Sequence, residues 1–263
     1  MIENSFLFLE RISEELEKKF WRQGICSWHD FLQADKILGL SSHRKLYYDR
    51  RLKEAQLALY SQDANFFIGK LPACENWRLY RFFSDEAVFL DIETAGLDRN
   101  DAVTVVGIFD GITTKTMIRG INLDPKALAR ELQKYKLLVT FNGSSFDIPF
   151  LKRQFPSLLP NIPHIDLRVL CQRIGLSGGL KNIEKRFDIK RNIIIERLYG
   201  GDALRLWRMF RASNDEHYLK LLVEYNEEDI INLKIIADYA SRKLEKDLRD
   251  QYFVRKLVDA TTP

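Results

Sequence analysis

The chain has 263 residues, of which 46% are hydrophobic and 30% are charged, with a formal net charge of +4. This balance predicts a globular protein with one large core, or one core plus a small module, and it excludes a disordered or fibrous chain. No stretch approaches the roughly 20 apolar residues that cross a bilayer, and the apolar start of the chain lacks a basic leader, so we expect neither a membrane span nor a signal peptide.

The first 80 residues are predicted to be mainly helical. Apolar positions at three- and four-residue spacing indicate a helix over residues 6–22, and Gly24 is placed to end it. Ser27 and Asp30 form a capping-box pattern for a short second helix.

A long charged helix is predicted over Ser42–Tyr60. It carries a basic cluster made of His43, Arg44, Lys45, Arg50, Arg51 and Lys53. Such a cluster suits contact with nucleic acid, and the helical region suits binding of a protein partner. The composition does not decide between these two roles.

The sequence changes character near Trp77. Short runs rich in Val, Ile, Phe and Thr predict strands at residues 77–83, 87–93, 102–110, 114–120 and 136–142. Asp124 and Pro125 provide the cap and the first position of a helix between the last two strands. Beyond Phe141 the chain is predicted to be mainly helical, with one more short strand in residues 163–170. This order of elements indicates a mixed α/β layer architecture.

Two acids end the second of these predicted strands. Side chains alternate along a strand, so Asp91 and Glu93 project from one face and Ile92 from the other. Acids at the end of a buried strand are costly unless a cation compensates them, and oxygen ligands suit Mg²⁺ or Mn²⁺. A pair of solvated acids at a strand end is the simpler alternative.

Two further acidic positions follow later in the chain. Asp147 lies in the first turn of a helix that begins after an Asn-Gly turn, close to the end of a parallel strand. Tyr225 and Asp229 lie four residues apart and therefore share one face of a late helix. Each also has an ordinary explanation, because Asp147 complements the helix dipole and the other two suit a surface helix.

The order of these motifs along the chain is similar to that of a known nuclease superfamily. The sequence resembles the DEDD (DnaQ-like) exonuclease superfamily in its tyrosine-bearing DEDDy branch, because Glu224 stands where the other branch has histidine. Within that superfamily it most resembles the YprB-like predicted nucleases. This likeness rests on the segments DIETAGL, FNGSSFDIPFL, HIDLRVL, GGLKNIEKRFDIKR and YNEEDIINL, which lie within residues 85–240.

The resemblance implies a ribonuclease-H-like fold, with a mixed five-stranded sheet flanked by helices and an N-terminal helical extension. It places a helical region at residues 1–80, an exonuclease domain at 81–245 and a C-terminal helix or tail at 246–263.

The resemblance also implies a mechanism with two divalent ions, Mg²⁺ or Mn²⁺. Asp91, Glu93 and Asp229 would hold one ion, and Asp91 and Asp147 would hold the second. Tyr225 would orient the attacking water. The implied activity is 3′–5′ exonucleolytic hydrolysis of phosphodiester bonds in DNA or RNA, with a single-stranded 3′ end as substrate.

Other residues are candidates for contact with the nucleic acid. Residues 168–197 carry eight Lys or Arg against three acids, an excess that suits a phosphate-facing surface or a solvated helix face. The candidate contacts are Thr94, Asn142, Phe146, Lys181, Lys185 and Arg191. Asp166 is a second-tier candidate that also suits the cap of the helix after it. We expect Phe141 and Trp207 in the core, and His164 as a packed or surface residue.

Two other functions fit the same motifs. One is a catalytically silent nucleic-acid-binding or scaffold protein on this fold, and the other is a structure-specific endonuclease. Cys26, Cys74 and Cys171 lack zinc-ligand spacing and suit a reducing cytoplasm. The sequence does not choose between DNA and RNA, and it does not indicate an oligomeric state.

Overall fold

The computed structural model describes residues 1–96, 98, 100–191 and 203–253. The chain divides into two compact units, one formed by Met1–Ser84 with Ser241–Pro263 and the other by Asp85–Ala240. The domain limits at 80/81 and 245/246 stay predictions. Among the described residues, no helix combines the length and the hydropathy needed to traverse a bilayer.

The N-terminal part of the first unit consists of helices and short helical turns. The α-helices are α1 (Glu14–Arg22), α2 (Trp28–Gln33), α3 (Ser42–Tyr60) and α4 (Tyr80–Phe83). The 3₁₀ turns are Ile2–Asn4, Ala64–Phe67, Ala73–Leu79 and, at the junction of the two units, Ser84–Glu86. The predicted helical character of this region is therefore confirmed, and α3 has the predicted limits.

The first helix is shorter than predicted. Helix α1 begins at Glu14 because the Ser13 side chain caps it, accepting a hydrogen bond from the Leu16 N–H at 3.3 Å. The four side chains of residues 6–9 are all buried, a pattern that a one-faced helix could not produce. Gly24 follows the helix with a φ of +84°, as its predicted position after the helix end requires.

The second unit contains a mixed five-stranded sheet, which confirms the predicted fold class. Its strands are β1 (Ala87–Thr94), β2 (Val103–Phe109), β3 (Thr114–Ile118), β4 (Leu137–Thr140) and β5 (His164–Asp166). The order across the sheet is β3-β2-β1-β4-β5. Strand β1 pairs antiparallel with β2 and parallel with β4, β2 pairs antiparallel with β3, and β4 pairs parallel with β5.

The prediction of a strand at residues 77–83 is wrong. This segment is helical, and it forms the end of the Ala73–Leu79 turn and the whole of α4. Residues 77–80 are all buried, whereas a strand covered on one face would alternate between buried and exposed side chains. The aromatic content that favours strands is overridden here by tertiary packing.

Helices cover the sheet of the second unit. They are α5 (Pro125–Leu132), α6 (Asp147–Gln154), α7 (Leu167–Arg173), α8 (Leu180–Arg186), α9 (Ala203–Ser213) and α10 (Glu216–Tyr252), the last of which continues into the first unit. Asp124 caps α5 as predicted, since its carboxylate accepts the Lys126 and Ala127 N–H groups at 2.8 and 3.3 Å.

Alternation along β1 gives the sheet two different faces. Val88, Leu90 and Ile92 pack in one apolar cluster together with residues of α5 and α6. A second cluster joins Val105 of β2 to residues of α9 and α10, including Trp207, which is buried as predicted. Because Asp91 is one residue out of phase with Leu90 and Ile92, it projects away from the first cluster.

Candidate metal centre

The centre begins with the two acids of β1. Asp91 stands opposite Gly107 of β2, Glu93 stands opposite Val105, and the ladder is irregular between Glu93 and Thr94. Both carboxylates are half-buried, as expected for side chains near a strand end. Their alternation with buried Ile92 is confirmed.

Helix α10 brings a third acid to this pair. Asp229 is 6% exposed, and it lies one helical turn after Tyr225, which is 8% exposed. Asp91, Glu93 and Asp229 each offer one carboxylate oxygen, and these oxygens lie within 4.8 Å of one another. Residues far apart in the sequence therefore meet with their charged atoms close together.

Asp147 reaches the same place from α6. Its Oδ1 accepts a hydrogen bond from the Ile92 N–H at 3.1 Å, so the carboxylate lies beside the backbone between the two acids of β1. The turn before it is tight: Asn142 has a φ of +62°, and a Cβ on Gly143 would lie 2.1 Å from Thr140 Oγ1. Asp147 is 2% exposed, so this carboxylate is deeply buried.

These acids line a pocket of about 190 Å³, which we call the acidic pocket. Its lining is formed by Asp91, Ile92, Glu93, Phe141, Asn142, Phe146, Asp147, Leu180, Tyr225 and Asp229. Phe141 was expected in the core, but it is half-buried and lines the pocket. The reason is that it follows the last residue of β4, where the buried strand gives way to the turn.

The electrostatics of the pocket indicate a shortage of positive charge. Burial, and next the charges of Asp147, Asp229 and Glu93, hold the pKa of Asp91 well above its ordinary value. Burial also raises the pKa of Asp147 to about 7 and that of Asp229 to about 6. Burial is the largest cause of each rise; neighbouring acids add to it at Asp91, whereas the charge of Arg191 opposes it at Asp229. A set of clustered oxygen donors with excess negative charge fits a divalent cation.

Tyr225 keeps its proton in this setting. Burial, and next the charges of Asp229 and Glu93, raise the pKa of its hydroxyl above the ordinary value. A neutral phenol can donate a hydrogen bond but is a poor base. The group is therefore suited to positioning a reactant and not to abstracting a proton.

Asn226 and Gly107 belong to the site, although the sequence analysis missed them. The Asn226 side-chain amide donates to Asp91 Oδ2 at 3.0 Å. Gly107 makes room for it, because a Cβ at this position would lie 1.9 Å from Asn226 Oδ1. A glycine inside a strand can mark a close approach of another group, and this was the signal available in the sequence.

Arg191 lies in a buried ion network. It was predicted to contact nucleic acid, yet its side chain is only 9% exposed and hydrogen-bonds to both Asp229 and Glu184. Glu184 is 1% exposed and also accepts from the Asn232 amide at 2.9 Å. The role of Glu184 could not be read from the sequence, because it occurs in a run of charges that suits a solvated helix.

Lys181 and Lys185 lie on α8. The Lys181 ammonium lies 5.2 Å from the centre of the Tyr225 ring, which places it beside the acidic pocket. Lys185 lines a second pocket next to Arg191. Residues 192–202, including Arg197 of the basic segment, lie outside the described residues.

The polar candidates at the ends of β1, β4 and β5 are engaged in local hydrogen bonds. Thr94 donates its hydroxyl to the Gly96 carbonyl at 2.6 Å. Asp166 accepts the N–H groups of Asn142, Ser144 and Arg168 at 2.8, 3.1 and 3.1 Å, so it both caps α7 and holds the turn after β4. His164 is half-buried and bonded to Thr140, and burial lowers its pKa to about 4.

A family model described as the RNase_H superfamily matches residues 88–241. The chain belongs to the RNase_H superfamily. The matched range includes β1, α6 and the segment of α10 that carries Tyr225 and Asp229. The ribonuclease-H-like fold expected from the sequence motifs is thereby confirmed.

Two solved structures are similar to this RNase_H superfamily chain. One is the family B DNA polymerase from the hyperthermophilic archaeon Pyrobaculum calidifontis, with a TM-score of 0.45 and 15% identity over 58% of this chain. The match spans 24% of the polymerase. The other is described as the apo form of a nuclease, with a TM-score of 0.47 and 20% identity over 66% of this chain and 79% of that one. No curated protein matches the chain significantly.

Proposed function

We propose that this protein is a metal-dependent 3′–5′ exonuclease of the tyrosine-bearing DEDDy branch, similar to the YprB-like nucleases. Its substrate would be the 3′ end of single-stranded DNA or RNA. The observation that carries the proposal is the meeting of the Asp91, Glu93 and Asp229 carboxylates within 4.8 Å, with Tyr225 one turn before Asp229.

The donor set fits two divalent ions, Mg²⁺ or Mn²⁺. Asp91, Glu93 and Asp229 would hold one ion, and Asp91 and Asp147 would hold the second. When bound, such ions lower the pKa of a water molecule and offset the charge of the reacting phosphate. The clustering of the Asp91, Glu93 and Asp229 oxygens within 4.8 Å supports this assignment, and burial, which raises the pKa of Asp91, Asp147 and Asp229, adds to the cost of holding these acids together without a cation.

The other pocket residues suit the binding of a chain end. The Tyr225 hydroxyl, which stays protonated, donates a hydrogen bond that orients the attacking water. The half-buried rings of Phe141 and Phe146 line the pocket and offer surfaces on which a terminal base can stack. Lys181, beside Tyr225, provides positive charge for a phosphate.

The test is a cleavage assay with end-labelled substrates. The full chain is incubated with 5′-labelled and 3′-labelled DNA and RNA, single- and double-stranded, in Mg²⁺, Mn²⁺ or chelator. We expect metal-dependent ladders from the 5′ label and early release of a labelled mononucleotide from the 3′ label. Internal fragments appearing first would instead indicate an endonuclease.

The matched variants are Asp229→Asn and Asp238→Asn. Both remove one negative charge from α10, but Asp238 pairs with Lys234 at 3.1 Å and does not line the acidic pocket. We expect Asp229→Asn to lower the rate by at least about 100-fold, since even the loss of a supporting residue costs 10–100-fold. The Asp238→Asn rate should equal that of the wild type. Metal-dependent cleavage that survives in Asp229→Asn would rule out this site.

One observation favours a second candidate, a catalytically silent nucleic-acid-binding protein. Arg191 already neutralises part of the charge of Asp229, as a cation that replaced a lost metal would do. This candidate predicts nucleic-acid binding that chelator leaves unchanged and no hydrolysis in Mg²⁺ or Mn²⁺. The same assay therefore separates the two functions.

A further inference from the structure

Arg191 is held in the second unit by two buried acids. Its Nε donates to Glu184 Oε2 at 2.6 Å and its Nη2 to Glu184 Oε1 at 2.7 Å, while Nη2 also bonds Asp229. The guanidinium also lies 5.3 Å from the centre of the Tyr225 ring. A single cation thus touches both a proposed metal ligand and the proposed positioning residue.

The two acids hold Arg191 unequally. Glu184 accepts two parallel hydrogen bonds, the geometry in which arginine and carboxylate bind best, and Asn232 orients the same carboxylate. Asp229 receives only one of the five guanidinium N–H groups. Glu184 is therefore the anchor, and Asp229 is the partner that can be exchanged without releasing the arginine.

A metal ion and Arg191 compete for Asp229. Coulomb attraction between buried unit charges is strong, so a carboxylate that neutralises a guanidinium attracts a second cation less strongly. Without any cation, a buried Asp229 among other acids would be costly. The arginine is thus suited to stabilising the metal-free site and to yielding when a divalent ion enters.

The arginine also has an unused donor. Its Nη1 is buried and has no hydrogen-bond partner among the described residues. A buried donor without an acceptor costs free energy, so this N–H group would gain from an acceptor that binds beside it. Release from Asp229 would leave Nη2 available together with Nη1. Two such donors match two oxygens of a phosphate.

A basic pocket of about 300 Å³ adjoins this side chain. It is lined by Lys181, Glu184, Lys185, Asp188, Ile189, Lys190 and Arg191, so cationic side chains outnumber acidic ones by four to two. Arg191 lines this pocket and its partner Asp229 lines the acidic pocket, so the Arg191–Asp229 pair links the two. A nucleic-acid strand that crosses both would place one phosphate by the acids and another by the lysines.

We propose that Arg191 is an exchangeable counter-cation: divalent metal displaces it from Asp229, and the guanidinium, still held by Glu184, then binds a phosphate of the nucleic acid in the basic pocket. The exchange rests on the proposed metal ligands, and the phosphate step also rests on the proposed binding of nucleic acid; neither step requires hydrolysis.

The exchange is tested by titrating Mn²⁺ calorimetrically into the metal-free full chain, without nucleic acid. We expect Arg191→Gln to bind Mn²⁺ at least about fivefold more tightly than the wild type. A change in affinity of about fivefold is the lower end of the coupling usually found between two ligands. Lys190→Gln is the control, because it removes a positive charge from the basic pocket but leaves the hydrogen bond between Arg191 and Asp229 in place. This variant should change the Mn²⁺ affinity less than about twofold. Unchanged or weaker binding in Arg191→Gln, or no Mn²⁺ binding in any variant, overturns the proposal.

A second variant keeps the exchange testable if Arg191→Gln does not fold. Arg191→Gln leaves Glu184 buried without its cation, so its thermal unfolding is measured first. The double variant Glu184→Gln with Arg191→Gln replaces the ion pair by two amides that can bond each other, and it should show the same tighter Mn²⁺ binding. Wild-type affinity in a folded double variant overturns the exchange.

The phosphate step is tested by fluorescence anisotropy with a short nuclease-resistant phosphorothioate oligothymidylate. We expect Arg191→Gln to lose about fivefold in affinity when Mn²⁺ is present, with a shallower salt dependence, and to lose nothing in chelator. An equal loss in both conditions overturns the exchange. A chain that shows the coupling but cleaves nothing leaves this inference standing and removes the proposed nuclease activity.

Discussion

The two units each contain a buried arginine between two buried acids, but the surroundings differ. In the first unit, Arg78 bonds Glu17 at 3.0 Å and Glu75 at 2.5 Å. Burial raises the pKa of Glu17, and the charge of Arg78, the Phe6 N–H and the Ser5 hydroxyl oppose that rise. In the second unit, most of the nearest charges around Asp91 are acids, and they add to the effect of burial.

This difference separates an ion network that suits a structural role from one that adjoins the candidate metal centre. The acids around Arg78 are satisfied by hydrogen-bond donors of their own unit, including the Trp77 indole N–H, which donates to Glu75 at 3.2 Å. Asp229, one of the two acids that bond Arg191, also has carboxylate oxygens of Asp91 and Glu93 within 4.8 Å, so further acids share the charge of that arginine. A buried arginine with two acids is therefore not diagnostic by itself, and the charge balance of its surroundings decides the interpretation.

The largest effect is expected from breaking the network of the first unit. Arg78→Met leaves Glu17 and Glu75 buried without their cation, so the free energy of unfolding should fall by about 3–5 kcal/mol. Urea denaturation measures this loss, and Mn²⁺ should not restore it. Arg81→Met is the control, since Arg81 is an exposed partner of Glu245 and should contribute at most about 1 kcal/mol. Equal losses in the two variants would contradict the structural role of Arg78.

A smaller effect is expected from crowding the candidate metal centre at Asp91. The new Cβ in Gly107→Ala collides with Asn226 and moves its amide away from Asp91. Mn²⁺ affinity should fall by about 10–100-fold, as is usual when the support of a ligand is lost. Gly179→Ala, where no atom lies within 4 Å of the added Cβ, should keep wild-type Mn²⁺ affinity in the same calorimetric titration. Wild-type affinity in Gly107→Ala would remove Asn226 from the site.

Tyr225→Phe should have a milder consequence for catalysis. The variant loses one positioning hydrogen bond while the carboxylates stay in place, so kcat should fall about tenfold, which corresponds to about 1.4 kcal/mol. Single-turnover cleavage measures this rate, and Mn²⁺ affinity should be unchanged. Full activity would exclude the hydroxyl from the reaction.

The smallest effect concerns pH. The folded-state pKa of Asp147 is about 7, above the ordinary value of 3.8, so between these values the folded protein binds more protons than the unfolded chain. Stability therefore falls as the pH rises from 4 to 7, and the loss is complete above 7. In metal-free protein at pH 8, Asp147→Asn should raise the melting temperature by about 2–4 °C, and this gain should vanish near pH 4. A gain independent of pH would contradict the assigned cause.

Much of the fold could be predicted from the sequence because its signals are local. The strands β1 to β5, the capped helix α5 and the limits of α3 each follow from periodicity and capping within one segment. The errors lie where tertiary packing overrides these signals. Residues 6–9 and 77–83 are aromatic-rich segments whose side chains are buried by partners distant in sequence.

The site was predictable only in part. The four acidic residues and Tyr225 could be selected from the sequence by their spacing within local motifs. The structure places them around one pocket. Their catalytic roles stay predictions. Two contacts of the site could not be predicted: the ion pair of Arg191 with Asp229 and the hydrogen bond of Asn226 to Asp91. Each joins residues that are distant in the sequence, and no local sequence pattern indicates such contacts. Arg191 was predicted to contact nucleic acid because it lies in a basic segment that suits a phosphate-facing surface.

The wide separation of the carboxylates along the chain has a consequence during synthesis. Asn226 and Asp91, which touch in the finished protein, are 135 positions apart. Long-range contacts of this kind form late, after the intervening segments have packed. A chain in synthesis that still lacks α10 also lacks Asp229, so the full set of carboxylates is present only after α10 has been made.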